Sequence, residues 1–186
     1  MDHQEKLERF ERLVLRHLDA AYALARWFVW NTDDAKDLVQ EALLRAFKSF
    51  DSFQGVDGRV WLFTIIRNLF YTSVSRRPLD QTVFDEEVHT FSEGAGNPEV
   101  LLGRNMETEL VRQAIEALIP EFREVLILRE LEGLSYKEIA GIVQVPLGTV
   151  MSRLARARRH LRENLISASH NGSSGHKEGQ NAMSRK

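Results

Sequence analysis

Residues 134–161, LSYKEIAGIVQVPLGTVMSRLARARRHL, hold two short runs with helical apolar spacing, separated by Gln144-Val145-Pro146. The proline ends the first run, because the residue before a proline is pushed out of the helical region. Ser135 and Glu138 have the spacing of a capping box, so the first run begins as a helix that buries Ile139, Ala140, Ile142 and Val143. The second helix starts near Leu147 and passes beyond Arg162, anchored by Val150, Leu154, Ala157, Leu161 and Leu165 at near-heptad spacing. Two helices joined by a tight turn, the second basic on its outer face, predict a helix-turn-helix.

Arg153, Arg156, Arg158, Arg159 and Arg162 crowd that second helix with no acidic residue among them. In a helix-turn-helix the second helix enters the major groove, where its amino-terminal half meets base edges and flanking arginines pair with phosphates. Thr149, Ser152, Arg153 and Arg156 are therefore candidates for base or phosphate contact, and Arg158, Arg159 and Arg162 for phosphate contact. A solvated face explains an isolated basic helix equally well, but it explains less well one that completes a two-helix motif. The formal net charge of -2 does not oppose this reading, since distribution sets the local field. Residues 78–103 contain no Lys or Arg and carry Asp80, Asp85, Glu86, Glu87, Glu93 and Glu99, while residues 148–162 show the reverse.

The same blocks divide the chain. Residues 5–29 have a helical apolar period, and Asn31-Thr32-Asp33-Asp34 then supplies an N-cap with acids in the first turn. Ala35, Leu38, Val39, Ala42, Leu43, Ala46 and Phe47 mark a second helix, residues 51–58 a glycine-containing loop, and residues 59–76 an aromatic-rich helix. Leu110, Ala114, Ala117 and Leu118 define a helix broken at Pro120, which opens another helix carrying Phe122, Val125, Leu126 and Leu128 and ending at Gly133. The expected architecture is all-α: a helical domain over 1–77, an acidic flexible linker over 78–103, a helix-turn-helix domain over 104–166 and a disordered tail over 167–186.

Composition excludes several classes. The chain has no cysteine, so a disulfide framework, a thiolate metal site and a cysteine nucleophile are ruled out. No apolar run approaches the roughly 20 residues of a membrane span, which points to a soluble, cytoplasmic protein with no membrane insertion. There is no Walker motif, no paired histidines and no Ser/His/Asp pattern, so an enzyme is the weakest reading and no cofactor is expected. His170 and His176 are too isolated for a metal site.

Residues 117–165, and within them "REVLILRELEGLSYKEIA" and "GTV-x-SRL-x-RAR", resemble region 4 of bacterial sigma factors of the extracytoplasmic-function group. "DAKDLVQEALLRAFKSF" (34–50) is similar to region 2.2 of that family, and "WLFTIIRNLF" (61–70) to regions 2.3 and 2.4. The resemblance implies two helical domains that bind core RNA polymerase and direct it to promoter DNA, the carboxy-terminal one reading the -35 element as a duplex. The amino-terminal one melts and captures the -10 element, which requires unstacked bases to be held by aromatic and polar groups. For that strand the candidates are Arg59, Trp61, Arg67, Asn68, Tyr71, Arg76 and Arg77, with residues 51–58 corresponding to the loop that receives a flipped base. Helical spacing points Trp61 or Phe63 inward, so core is the better reading for both, and Arg67 and Asn68 are the better strand contacts.

The resemblance also places Asp34, Asp37, Gln40 and Glu41 where the family binds the polymerase clamp coiled-coil, with the flap as a further contact and an anti-sigma factor as an expected partner. A free-standing helix-turn-helix regulator is the alternative, and it leaves the region 2 similarity idle. Three positions depart from the family pattern. Thr72 replaces a frequent Asp, Met151 replaces a frequent Lys and weakens a phosphate contact, and Gln144 replaces a frequent Gly, which predicts a slightly different turn.

Overall fold

The structure, a computed structural model, describes residues 3–29, 31–55, 57–76 and 106–174. The expected linker at 78–103 lies outside them. Among the described residues there is no strand.

The amino-terminal half contains α1 (His3–Leu13), α2 (Leu18–Val29), α3 (Thr32–Ser49) and α4 (Gly58–Arg76). The apolar period predicted one helix over 5–29, but the chain breaks at Val14, makes a 3-10 turn at Leu15–His17 and resumes as α2. The two pieces pack on different parts of the bundle. Phe10 of α1 meets Phe47 and Phe50 edge-on at 5.2 and 5.1 Å, whereas α2 buries Ala21, Leu24, Ala25 and Phe28 against α3 and α4. At the break, Gly58 abuts the Leu13 carbonyl so closely that a Cβ would lie 1.9 Å from its oxygen.

The Asn31 cap forms as expected: its side chain accepts from the amides of Asp33 at 2.8 Å and Asp34 at 3.3 Å. Beyond it, α3 buries Ala35, Val39, Ala42 and Ala46, small side chains that let α2 and α4 pack close.

The carboxy-terminal half contains α5 (Met106–Glu116), α6 (Pro120–Leu126), a π-helical turn (Ile127–Leu131), α7 (Tyr136–Val143) and α8 (Leu147–Ser174). The first helix was expected to run through Leu118, yet it stops at Glu116, leaving Ala117 exposed and Ile115 buried. Arg123 explains the stop. Its buried guanidinium donates to the carbonyls of Ile115 at 3.3 Å, Glu116 and Leu118 at 2.8 Å, filling acceptors a helix end leaves open. Burial pushes its pKa down to about 10, so it stays charged at neutral pH.

The helix opened by Pro120 was expected to be regular up to Gly133. Instead it widens, with the Glu132 amide donating to the Ile127 carbonyl at 3.1 Å, before Gly133 at φ 67° turns the chain. The capping box of α7 is complete, Ser135 N donating to Glu138 Oε2 at 2.7 Å and Glu138 N to Ser135 Oγ at 3.2 Å. Two further expectations are corrected. Gln144 adopts φ 57°, ψ 43°, the left-handed cap glycine favours, so the turn keeps glycine's conformation rather than finding another. The disordered tail expected from residue 167 begins inside α8, which continues to Ser174.

The two halves share one core. One side of α4 packs on α2 and α3 and another on α7, so Leu62, Phe63, Ile66 and Leu69 are all buried.

Candidate nucleic-acid interface

Helix α8 is positioned by Val150, Leu154 and Ala157, which are buried against α6 and α7. That packing leaves Ser152, Arg156 and Arg159 exposed and Thr149 and Arg153 half-buried. Two of these arginines meet acids that lie outside the helix. Arg158 donates to Glu130 Oε1 through Nε at 3.0 Å and through its terminal nitrogen at 2.6 Å, and Glu124 is an electrostatic neighbour of Arg153.

The α4 candidates divide differently. Asn68 is exposed. Trp61 is half-buried and stacks on Phe53 at 4.5 Å, and Phe63 is fully buried core. Arg76 ends the helix and Arg77 lies outside the described residues.

The remaining three are held by the carboxy-terminal half. The Arg59 guanidinium donates to the Glu132 carbonyl at 2.6 Å and to its carboxylate at 2.5 Å. Arg67 Nε donates to Glu124 Oε1 at 2.5 Å and lies over the Tyr71 ring at 4.7 Å, while Tyr71 donates to Glu124 Oε2 at 3.5 Å. Burial raises the pKa of Glu124 and Arg67 pulls it back only in part. Burial also raises that of Tyr71, and the Glu124 charge adds to it.

Beside these residues lies an open cleft of about 530 Å³, lined by Phe53, Gly55, Asp57, Trp61 and Thr64 and, from α7, by Glu138 and Gly141. Asp57 fixes its edge by accepting from the amides of Arg59 at 2.9 Å and Val60 at 3.3 Å, capping α4. Gly55 leaves room for the Phe53 ring, whose edge would be 2.7 Å from a Cβ there.

Asp34, Asp37, Gln40 and Glu41 are all exposed on the side of α3 opposite Ala35, Val39 and Ala42. Glu41 pairs with Arg45 at 2.6 Å. The sequence reading missed Glu124, Glu132, Glu138 and Gly141. Residues 125–128 are apolar at four successive positions, a sign of burial on every side, but that pattern does not single out Glu124 or Glu132. Among the described residues there is no group of side chains able to hold a metal ion and no helix long and apolar enough to cross a membrane.

Comparison with known proteins agrees with this geometry. The family profile of Sigma-70 region 2 matches residues 13–78, and that of Sigma-70, region 4 matches residues 108–161. The ECF RNA polymerase sigma factor SigE of Mycolicibacterium smegmatis is 36% identical over 163 residues, 87% of this chain and 63% of the relative. The ECF RNA polymerase sigma-E factor of Escherichia coli strain K12 is 37% identical over 158 residues, 80% of this chain and 82% of the relative. Among solved structures, the sigma factor RpoE bound to the anti-sigma factor NepR, from Bartonella quintana, superposes with a TM-score of 0.66 at 31% identity, covering 86% of this chain and 98% of that one. CnrH bound to the cytosolic domain of CnrY gives 0.63 at 26% identity, covering 87% and 90%. With both family regions in order, and curated relatives above one-third identity along most of its length, the chain belongs to the extracytoplasmic-function sigma factors of RNA polymerase.

Proposed function

We propose that this chain docks on core RNA polymerase through the Asp34, Asp37, Gln40 and Glu41 face of α3 and directs it to its own set of promoters. The observation that carries this is the presence, in one chain, of an exposed acidic α3 face and a helix-turn-helix whose outer face carries Ser152, Arg156 and Arg159. An acidic surface suits a basic partner helix, and a basic recognition helix suits a duplex. In this reading Thr149, Ser152, Arg153, Arg156, Arg158 and Arg159 serve the -35 element. Arg59, Trp61, Arg67, Asn68, Tyr71, Arg76 and Arg77 serve the melted -10 strand.

The polymerase supplies the chemistry, so the chain is assigned no catalytic group and no cofactor, and it acts in the cytoplasm. An anti-sigma factor is the proposed negative regulator, on the ground that the similar sigma factor RpoE was solved in complex with the anti-sigma factor NepR. A response to stress or to envelope signals fits the family's naming.

The test is transcription by sigma-free core polymerase on DNA from upstream of the protein's own gene. Transcripts that require the protein are expected, with weak DNA binding by the protein alone. Tight specific binding without polymerase, and no transcript, would instead mark a free-standing helix-turn-helix regulator.

A further inference from the structure

The outer surface of α8 has two unlike edges. Thr149, Arg153 and Arg156 follow one another at intervals of four and three residues and give one edge its hydrogen-bond donors. Leu147, Met151 and Ala155 repeat every four residues along the other edge, and all three are exposed. Leu147 keeps 49% of its surface in solvent and Met151 51%, and neither belongs to the packed core. Packing therefore does not account for two large apolar side chains on a basic helix.

The apolar edge changes character along the helix. Arg158 and Arg162 continue it three and seven residues beyond Ala155, so it is apolar in the first turns of α8 and basic in the later ones. In a helix-turn-helix the first turns of the second helix meet base edges, and flanking cations meet phosphates. The base edges of the major groove offer one apolar group, the C5 methyl of thymine. That methyl stands near the backbone of its own strand, within reach of the edge of an inserted helix rather than its centre. Gly148 sits on the outer face between the two edges with open space where a Cβ would be, so packing does not demand glycine there. The bare backbone lets the first turn of α8 come close to a duplex.

We propose that Met151, backed by Leu147, reads the methyl group of a thymine in the -35 duplex, so that the chain selects an A·T pair by apolar contact. This rests on the assignment of α8 to the -35 element. Methionine suits the task, because its unbranched, polarizable thioether adapts to an irregular apolar surface. The polar edge, with Thr149, Arg153 and Arg156, is left to hydrogen-bond with bases and phosphates.

Deoxyuridine tests the contact, since it pairs as thymine does and lacks only the methyl. Holoenzyme containing this chain is bound to the promoter fragment from upstream of the protein's own gene, with each thymine of the -35 duplex, on either strand, replaced in turn. One position, or two adjacent ones, should lose affinity by about four-fold, the effect of uncovering one methyl group. Met151→Gln is similar in length and lies on an exposed face, so the fold is spared. It should bind the thymine and uridine fragments alike.

The absence of any uridine-sensitive position would overturn the proposal and leave the apolar edge to a protein partner. Sensitivity that persists undiminished in Met151→Gln would overturn it as well, because another side chain would then be covering the methyl. Failure of the sigma reading is a separate result: it is the absence of protein-dependent transcript from the unmodified fragment, seen before any base is replaced.

Discussion

Arg67 on α4 and Glu124 on α6 join the two halves of the chain through an Nε–Oε1 contact of 2.5 Å, and the Glu124 side chain keeps only 1% of its surface exposed. Removing one partner of such a pair costs about 3–5 kcal/mol, chiefly because the other charge is left buried. Here the protonation state of Glu124 decides how much of that cost applies.

The pKa of Glu124 is raised above its ordinary 4.5 by burial. The native chain thus holds this proton more tightly than the unfolded chain, and the stability the group contributes is full below 4.5 and declines as pH climbs through the raised pKa. Glu124→Gln removes the titration while keeping the shape. In urea unfolding from about pH 4 to about pH 8, the variant should gain on wild type as pH rises. A flat difference would mean that Arg67 cancels the effect of burial, and the opposite slope that Arg67 holds the Glu124 pKa below its unfolded value.

Arg123 is a structural charge rather than a DNA contact. The residue is 9% exposed, and its guanidinium serves three carbonyls at the end of α5. Arg123→Met fills similar volume but leaves those acceptors buried and open, and should destabilise the chain by about 3 kcal/mol. Chemical denaturation measures this directly. A loss below about 1 kcal/mol would show that water takes over the acceptors.

Gly58 tests the break between α1 and α2. A Cβ would fall 1.9 Å from the Leu13 oxygen and 2.8 Å from its carbonyl carbon, both backbone atoms that cannot swing aside. Gly58→Ala should cost roughly 3 kcal/mol or more, a fall in Tm of about 10 °C for a chain of this size. Strand capture should weaken as well, since Asp57 and α4 shape the cleft. An unchanged Tm would show that α1 slides away freely.

Local signals made much of the fold legible. Asn31, Ser135 with Glu138, Pro120 and Gly133 each act on the nearest turn of backbone, and each marks the boundary it predicted. The features that escaped depend on residues far away in sequence. The break at Val14 accompanies contact with Gly58, and the early end of α5 follows from Arg123 reaching back. Gln144 was misjudged because the preference of glycine for a left-handed turn was taken as a requirement; its amide donates to the Gly141 carbonyl and accompanies the strained backbone. On the site, the exposed α3 face was readable from its period alone. The partners of Arg59 and Arg67 were not, because nothing adjacent to Glu124 or Glu132 marks them as facing another domain.

The arginines of α8 should not contribute equally to promoter binding. Arg156 is exposed on the outer face, whereas Arg158 holds Glu130 through two contacts. Both partners of that pair are about half exposed, so it is worth at most about 1 kcal/mol, but Arg158 must leave it before meeting a phosphate. Arg156→Ala should therefore reduce transcription from a -35-dependent promoter by about ten-fold or more. Arg158→Ala should reduce it by less. Glu130→Ala releases Arg158 without touching the recognition helix, so it should tighten holoenzyme binding and steepen its salt dependence by about one phosphate contact. Promoter binding measured across a salt series separates these outcomes: if Glu130→Ala leaves the slope unchanged, Arg158 stays off the DNA backbone and its role is to fasten α8 to the π-helical turn.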